Sequence, residues 1–298
     1  MSNFQFIAYG TSDDGRIATI TLNRPKFHNA QNRGLLLELD QAFGLAEADD
    51  GVRVIILRGE GKSFSAGHDL GSPDYQRERT PGPEQDPSYQ CNGGTFTPVE
   101  SRLHQEWHYF YQNTLRWRNN RKITIAQVQG KVFSAGLMLA WACDLIVAEE
   151  GTIFADVVGT RLGMCGVEYF AHPWEFGPRL AKELLLTGDA IDAERAVSLG
   201  MVSKIFKAGE TTQQTVAFAQ RIARLPSMTS TLIKQSVNDA QDAMGFTNAL
   251  SACFSLHQLN HAHWSVLTDG AMPIGTPEHG LPDWKTAPPI AVSDPYQP

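Results

Sequence analysis

Cysteine is scarce: the 298 residues hold four, Cys91, Cys143, Cys165 and Cys253, with no Cys-x-x-Cys spacing. That spacing argues against a disulfide framework or a cysteine-held zinc cluster and leaves packing thiols. Positive charge is in deficit, with 25 Lys and Arg against 32 Asp and Glu and a net charge of -7, so no basic field exists to hold a nucleic acid. No uninterrupted apolar run reaches the ~18 residues of a membrane helix. The start, Met1-Ser2-Asn3-Phe4, lacks a basic region, an apolar run and a cleavage site. These absences predict a cytoplasmic chain without membrane or nucleic-acid partners. What is present, 42% hydrophobic and 19% charged residues, is the composition of a folded chain with a sizeable core.

The apolar pattern begins as β, helix, β. Strands are expected over 4–8 and 17–22, then a helix capped by Asn29 or Asn32 and running to about Glu47, then a β-branched strand over 52–57 buried on both faces. Residues 71–100 carry Pro73, Pro81, Pro83, Pro87, Gly93, Gly94 and Pro98 and read as an insertion, a lid or mobile loop. A helix over 100–118, a strand over 123–128, a helix over 135–143 and strands over 145–148 and 152–155 follow. From Glu168 the chain is mainly helical, with a β-like stretch at 201–206 and helices over 211–224, 227–243 and 247–267. The Pro-rich stretch after Thr268 is expected on the surface or across a partner subunit. The expected divisions are a core over 1–206, a helical region over 207–267 and a tail over 268–298.

Several motif fragments fail on their own chemistry. Gly59-Glu60-Gly61-Lys62-Ser63 resembles the end of a phosphate-binding loop, but the required first glycine is Ile56, which leaves Lys62 as a surface or cofactor-phosphate lysine. His104 and His108 sit four apart on an expected helix without the Glu that a zinc protease places after its first His. His257, His261 and His263 form a second group with no cysteine or carboxylate cluster nearby in sequence, so no metal is expected. Gly61-Lys62-Ser63-Phe64-Ser65 ends in Ser where a hydrolase elbow needs Gly.

One echo has chemical content. Phe64-Ser65-Ala66-Gly67 recurs as Phe133-Ser134-Ala135-Gly136, each copy after a β-rich run and before an apolar, helix-compatible segment. Backbone N–H groups at a helix start have no intrahelical acceptor, and two such turns side by side would make an oxyanion hole for a carbonyl oxygen gaining charge. Tight turns alone would also explain these glycines.

The chain resembles the crotonase (enoyl-CoA hydratase/isomerase) superfamily through Ile20-Thr21-Leu22-Asn23-Arg24-Pro25-Lys26, Val54-Ile55-Ile56-Leu57-Arg58-Gly59, Phe64-Ser65-Ala66-Gly67-His68-Asp69-Leu70, Ile125-Ala126-Gln127-Val128-Gln129-Gly130 with Ala142-Cys143-Asp144, and Leu186-Thr187-Gly188 with Ala193-Glu194-Arg195-Ala196 and Leu199-Gly200-Met201-Val202. The resemblance implies an α/β fold, a crotonase-like spiral of ββα repeats with a C-terminal helical trimerisation region. It implies an acyl-CoA substrate, with coenzyme A arriving as part of that substrate and no permanent cofactor. It places the hole's donors on the backbone of His68 and Ala135, and Lys26, Ala66, Asp69 and Leu70 along the CoA channel. A homotrimer or dimer of trimers is implied as well. An apolar stripe of Ala249, Ala252, Leu256 and Leu259, flanked by Leu250, Cys253 and Phe254, would need covering by a neighbour or by its own domain.

The departures are as informative. The family's two hydratase glutamates fall on Met138 and Val158, neither of which transfers protons. The remaining candidates are Glu168, expected at a helix start, with Asp156, His172 and the His68 side chain; Asp144 reads as structural. Three readings stay open: an enoyl-CoA hydratase-like enzyme, a crotonase-like hydrolase or C–C lyase, and a CoA-thioester binding protein without turnover. Hydration of crotonyl-CoA is expected to be weak.

Overall fold

The computed structural model describes residues 4–78, 98–270, 273–283 and 286–296. Much of the expected insertion over 71–100 lies outside the described residues; its edges form the helices Pro73–Glu78 and Pro98–Gln105.

Six strands make the main sheet in the order β1 (Ile7–Thr11), β2 (Ile17–Leu22), β3 (Val54–Gly59), β4 (Ile123–Val128), β6 (Leu145–Glu149) and β9 (Lys204–Phe206). The first pair is antiparallel, with Ile7 opposite Leu22, and the rest are parallel, with Ile17 opposite Val54 and Val54 opposite Ile123. A second sheet joins β5 (Lys131–Phe133), β7 (Ile153–Ala155) and β8 (Ile191–Asp192). From β4 onward the chain visits one sheet, then the other, then a helix: β4, β5 and Ala135–Trp141, followed by β6, β7 and Val158–Leu162. That is a winding ββα repeat.

The β-branched run is buried on both faces as its composition predicts. Ile55 and Leu57 face the main core with Leu35, Leu36 and Leu39 of the helix Arg33–Ala48. Val54 and Ile56 face a second cluster closed by Ala219 and Ala223 of the helix Thr211–Ala223. The expected strand over 4–8 forms three residues later, at Ile7–Thr11, because the backbone N–H groups of Gln5, Phe6 and Ile7 turn to the Glu38 carboxylate.

The helix Arg33–Ala48 is preceded by Asn32, whose side chain makes no cap. The Asn32 amide donates to Glu78 Oε1 at 2.6 Å, and the same carboxylate accepts the N–H groups of Arg33 and Gly34 at 2.9 and 3.0 Å. A remote carboxylate thus caps this helix, favourably placed at the positive end of its dipole. Asn29 instead ties the preceding turn to the Glu60 and Ser63 carbonyls, both at 2.9 Å.

The expected helix over 100–118 is interrupted by a π-helical segment, Glu106–Gln112. Such widened turns bring side chains out of ordinary helical register and cluster at functional sites. The long helix Phe246–Leu267 buries Phe246, Leu250 and Phe254 in its own core, while Leu256 and Leu259 remain 58% and 64% exposed. The chain after Thr268 returns to its own body: Ala190 N–H donates to Ala291 O, Ser293 N–H donates to Ala190 O, and Arg161 reaches Pro288 O. Among the described residues no helix is long and apolar enough to cross a membrane.

Candidate functional site

The two Phe-Ser-Ala-Gly turns interlock. Ser65 pairs with Val132 in parallel, its N–H donating to Lys131 O at 3.3 Å while Phe133 N–H donates back to Ser65 O at 3.0 Å. Gly67 lies at φ +99°, and a Cβ there would stand 3.1 Å from Phe133 O and 3.2 Å from the Ala135 nitrogen. A Cβ on Gly136 would collide with the Ser65 carbonyl oxygen. Glycine is needed at both places for close approach of backbone, and at Gly67 for its backbone angle as well.

This packing sets two N–H groups free. Gln31 N–H donates to Gly67 O and Asp69 N–H donates to Gln31 O, so the pairing skips the His68 N–H. Ala135 opens the helix Ala135–Trp141 and therefore lacks an intrahelical acceptor. Neither N–H donates to a protein acceptor among the described residues. Ser134, just before, is held at φ 48°, a left-handed angle that costs a residue with a side chain about 1–3 kcal/mol.

Glu168 does not start a helix as expected; it sits in an irregular bend before His172–Glu175 and is buried. Its Oε2 lies 3.1 Å from His68 Nε2, and its Oε1 lies 3.6 Å from His257 Nε2. Burial alone would raise its pKa, but the His68 and His257 imidazoles hold it below the ordinary 4.5, at about 2. The His68 ring stacks on Phe110 with centroids 3.7 Å apart, and its Nδ1 is buried without a partner.

Asp156 and His172 form a pair of their own. His172 Nε2 lies 2.9 Å from Asp156 Oδ2, and the same carboxylate accepts the Val158 and Val167 N–H groups at 3.2 and 3.0 Å. With both side chains buried, this pair holds the bend that presents Glu168. Asp144 accepts from Thr124 and pairs with Lys234 at 3.0 Å, as a structural residue would.

Among the expected channel residues, Lys26, Ala66 and Leu70 are exposed around the first turn. Asp69 is buried and differently engaged. It accepts from Gly71 and Ser72 N–H at 3.1 and 2.9 Å and pairs with Arg24 at 2.8 Å, so its carboxylate fastens the loop. Met138 is 2% exposed in the core, and Val158 begins a short helix, packed against that core.

The enoyl-CoA hydratase/isomerase family model matches this chain over residues 12–92 and 85–266. A Mycobacterium tuberculosis protein named for enoyl-CoA hydratase, EchA13, is 67% identical over 287 residues, 96% of this chain and 90% of that protein. The mitochondrial enoyl-CoA hydratase of Pongo abelii is 33% identical over 80% of this chain and 75% of its own length. The chain belongs to the enoyl-CoA hydratase/isomerase family.

A crystal structure from Mycobacterium smegmatis, described as a probable enoyl-CoA hydratase, superposes with a TM-score of 0.78 at 41% identity, covering 91% of this chain and 99% of that one. The ββα winding is therefore the crotonase fold, as the motifs implied. Sequence reasoning passed over Glu106, which the π-helical segment turns inward to meet His257 and His261. Two histidines four apart on a late helix were the visible half of that cluster. The carboxylate half lies about 150 residues earlier in the chain, where no local pattern could announce it.

Proposed function

We propose that this family member polarises an acyl-CoA thioester between the His68 and Ala135 backbone N–H groups and moves its proton through the His68 imidazole, oriented by Glu168. The observation that carries the reading is the 3.1 Å contact of Glu168 with His68 Nε2. An ionised carboxylate accepts, so the ring donates its Nε2–H to it and leaves Nδ1, the nitrogen without a protein partner, as the proton-carrying atom of the proposed base. A carboxylate that fixes the tautomer of a histidine base is a recurrent arrangement in proton transfer.

For an enoyl thioester, the water oxygen adds to the β-carbon while one of its protons passes to Nδ1. The negative charge collects on the thioester oxygen facing the two N–H groups, and the proton then goes from Nδ1 to the α-carbon. One base thus stands in for two carboxyls, and crotonyl-CoA is expected to react slowly. Exposed Lys26 and Leu70 suit the CoA portion, one by charge and one by apolar contact.

Hydration of a panel of 2-enoyl-CoA thioesters, followed by loss of the conjugated absorbance, tests this reading. Ala135→Pro removes one donor and should lower turnover by about 10²- to 10³-fold. Equal rates in folded Ala135→Pro and unmodified protein would overturn the reading. A second reading, a hydrolase or C–C lyase on the same frame, is favoured by the burial of Met138 where a family glutamate is expected. A 4-chlorobenzoyl coenzyme A dehalogenase of Arthrobacter, 28% identical over 84% of this chain, shows a relative named for different thioester chemistry. Release of free CoA thiol, rather than loss of enoyl absorbance, would identify that alternative.

A further inference from the structure

The buried side of the helix Phe246–Leu267 carries a cluster to which the thioester reading gives no chemical step, although its His257 stands 3.6 Å from Glu168. His257 and His261 stand one turn apart and face Glu106. His261 Nε2 lies 2.9 Å from Glu106 Oε1, and His257 Nε2 lies 3.7 Å from Glu106 Oε2. All three residues are buried, and their potential ligand atoms fall within 4.8 Å of one another.

The outer nitrogens of both rings are engaged by backbone carbonyls. His257 Nδ1 lies 2.8 Å from Gly166 O, and His261 Nδ1 lies 2.6 Å from Pro273 O. A carbonyl oxygen only accepts, so each ring carries a proton on Nδ1 and turns Nε2 inward. Metal-binding imidazoles are held this way, with the second nitrogen donating to a carbonyl or carboxylate. The His257 side chain is only 5% exposed, yet its Nε2 has no hydrogen-bond partner. A proton on that nitrogen would find its carboxylate neighbours, Glu106 and Glu168, at 3.7 and 3.6 Å, beyond hydrogen-bond reach. An ion bonded at about 2 Å would satisfy it.

We infer that Glu106, His257 and His261 form a binding site for a divalent transition-metal ion, with zinc the first candidate. Two imidazoles and one carboxylate are a donor set used for zinc and for non-haem iron, whereas calcium and magnesium prefer all-oxygen surroundings. Around a tetrahedral zinc ion, ligand atoms stand roughly 3.3 Å apart. The observed contacts, 2.9 Å to one Glu106 oxygen and 3.7 Å to the other, lie on either side of that value, and the three ligand atoms, within 4.8 Å of one another, would draw together around the ion. Gln258 donates to Glu106 Oε2 at 2.6 Å and steers the carboxylate. Gln258 also lines a groove of about 480 Å³, with Leu103, His104, Trp107 and Phe254, so the residue that steers the carboxylate reaches the surface. The competing arrangement is a proton shared between Glu106 and His261, a pair that already raises the His261 pKa against the effect of burial.

The full-length protein, stripped with a chelator and titrated with zinc chloride by calorimetry, separates the two. The expected result is about one ion per chain, with Glu106→Gln and His257→Gln each weakening binding at least about tenfold and His263→Gln, on the same helix, leaving it unchanged. Absence of zinc binding, or affinity unchanged in both folded variants, overturns the site. Should the variants fail to fold, anomalous diffraction at the zinc edge from zinc-soaked crystals of the unmodified protein decides the matter. A peak between Glu106, His257 and His261 supports the inference, and no peak there refutes it. Neither readout depends on turnover.

Discussion

The Glu168 carboxylate meets the His68 imidazole at 3.1 Å across 100 residues of chain. One partner rides on the first glycine turn, the other on the bend before His172, and Asp156 pins that bend through the Val167 N–H. The contact therefore reports the alignment of two separately built segments. Glu168→Gln should lower kcat by about 10²-fold or more with little change in KM, and His68→Gln should do the same. If the two act as a unit, the double variant will be no slower than the worse single one. Steady-state kinetics on the best enoyl-CoA substrate checks this.

His172→Ala should act on folding. It leaves the Asp156 carboxylate buried with only its two backbone donors, a loss of about 3–5 kcal/mol in denaturant unfolding. Turnover per folded molecule below the unfolding transition should stay within a few-fold of the unmodified protein. A catalytic His172 would show the reverse.

Glu175 supplies a pH dependence. Burial raises its carboxyl from 4.5 to about 7. Between those values the unfolded chain loses this proton and the folded chain keeps it, so stability from this group is complete below 4.5 and declines as pH rises through about 7. Glu175→Gln should remove that decline and raise stability at pH 8 by about 1–2 kcal/mol, discounted because the residue keeps some solvent contact. Thermal unfolding from pH 4.5 to 8 on both proteins would show it.

Leu232, Ile233 and Val237 on the helix Ser227–Ala243, and Leu256 and Leu259 on the next, are each more than half exposed. These apolar groups suit contact between subunits. Light scattering at micromolar concentration should give a trimer or its double, and Leu256→Asp with Leu259→Asp should shift it toward monomer. A monomeric unmodified protein contradicts this reading.

Much of the frame was legible because it is written locally. The run of β-branched residues from Val52 announces a strand covered on both faces, and the paired Phe-Ser-Ala-Gly segments announce two similar turns that do pack together. What escaped is held by groups remote in sequence. Asn32 looks like a cap, but Glu78 does the capping. Glu168 has the look of a helix start, yet it is drawn into an irregular bend by His68 and His257. Glu106 is hidden by a change of helical pitch, since side-chain direction in a π-helical segment cannot be extrapolated from a 3.6-residue period.

The interlock of Gly67 against Ala135 has a bearing on how such a protein can drift. A backbone N–H has no codon of its own, so point mutation at position 68 or 135 alters the side chain and spares the donor, proline excepted. The vulnerable letters are the two glycines, where any added carbon meets neighbouring main chain. On the proposed reading the two backbone donors would thus outlast exchanges of the side chains that carry them, and a change at position 68 would be felt through its imidazole rather than through its N–H.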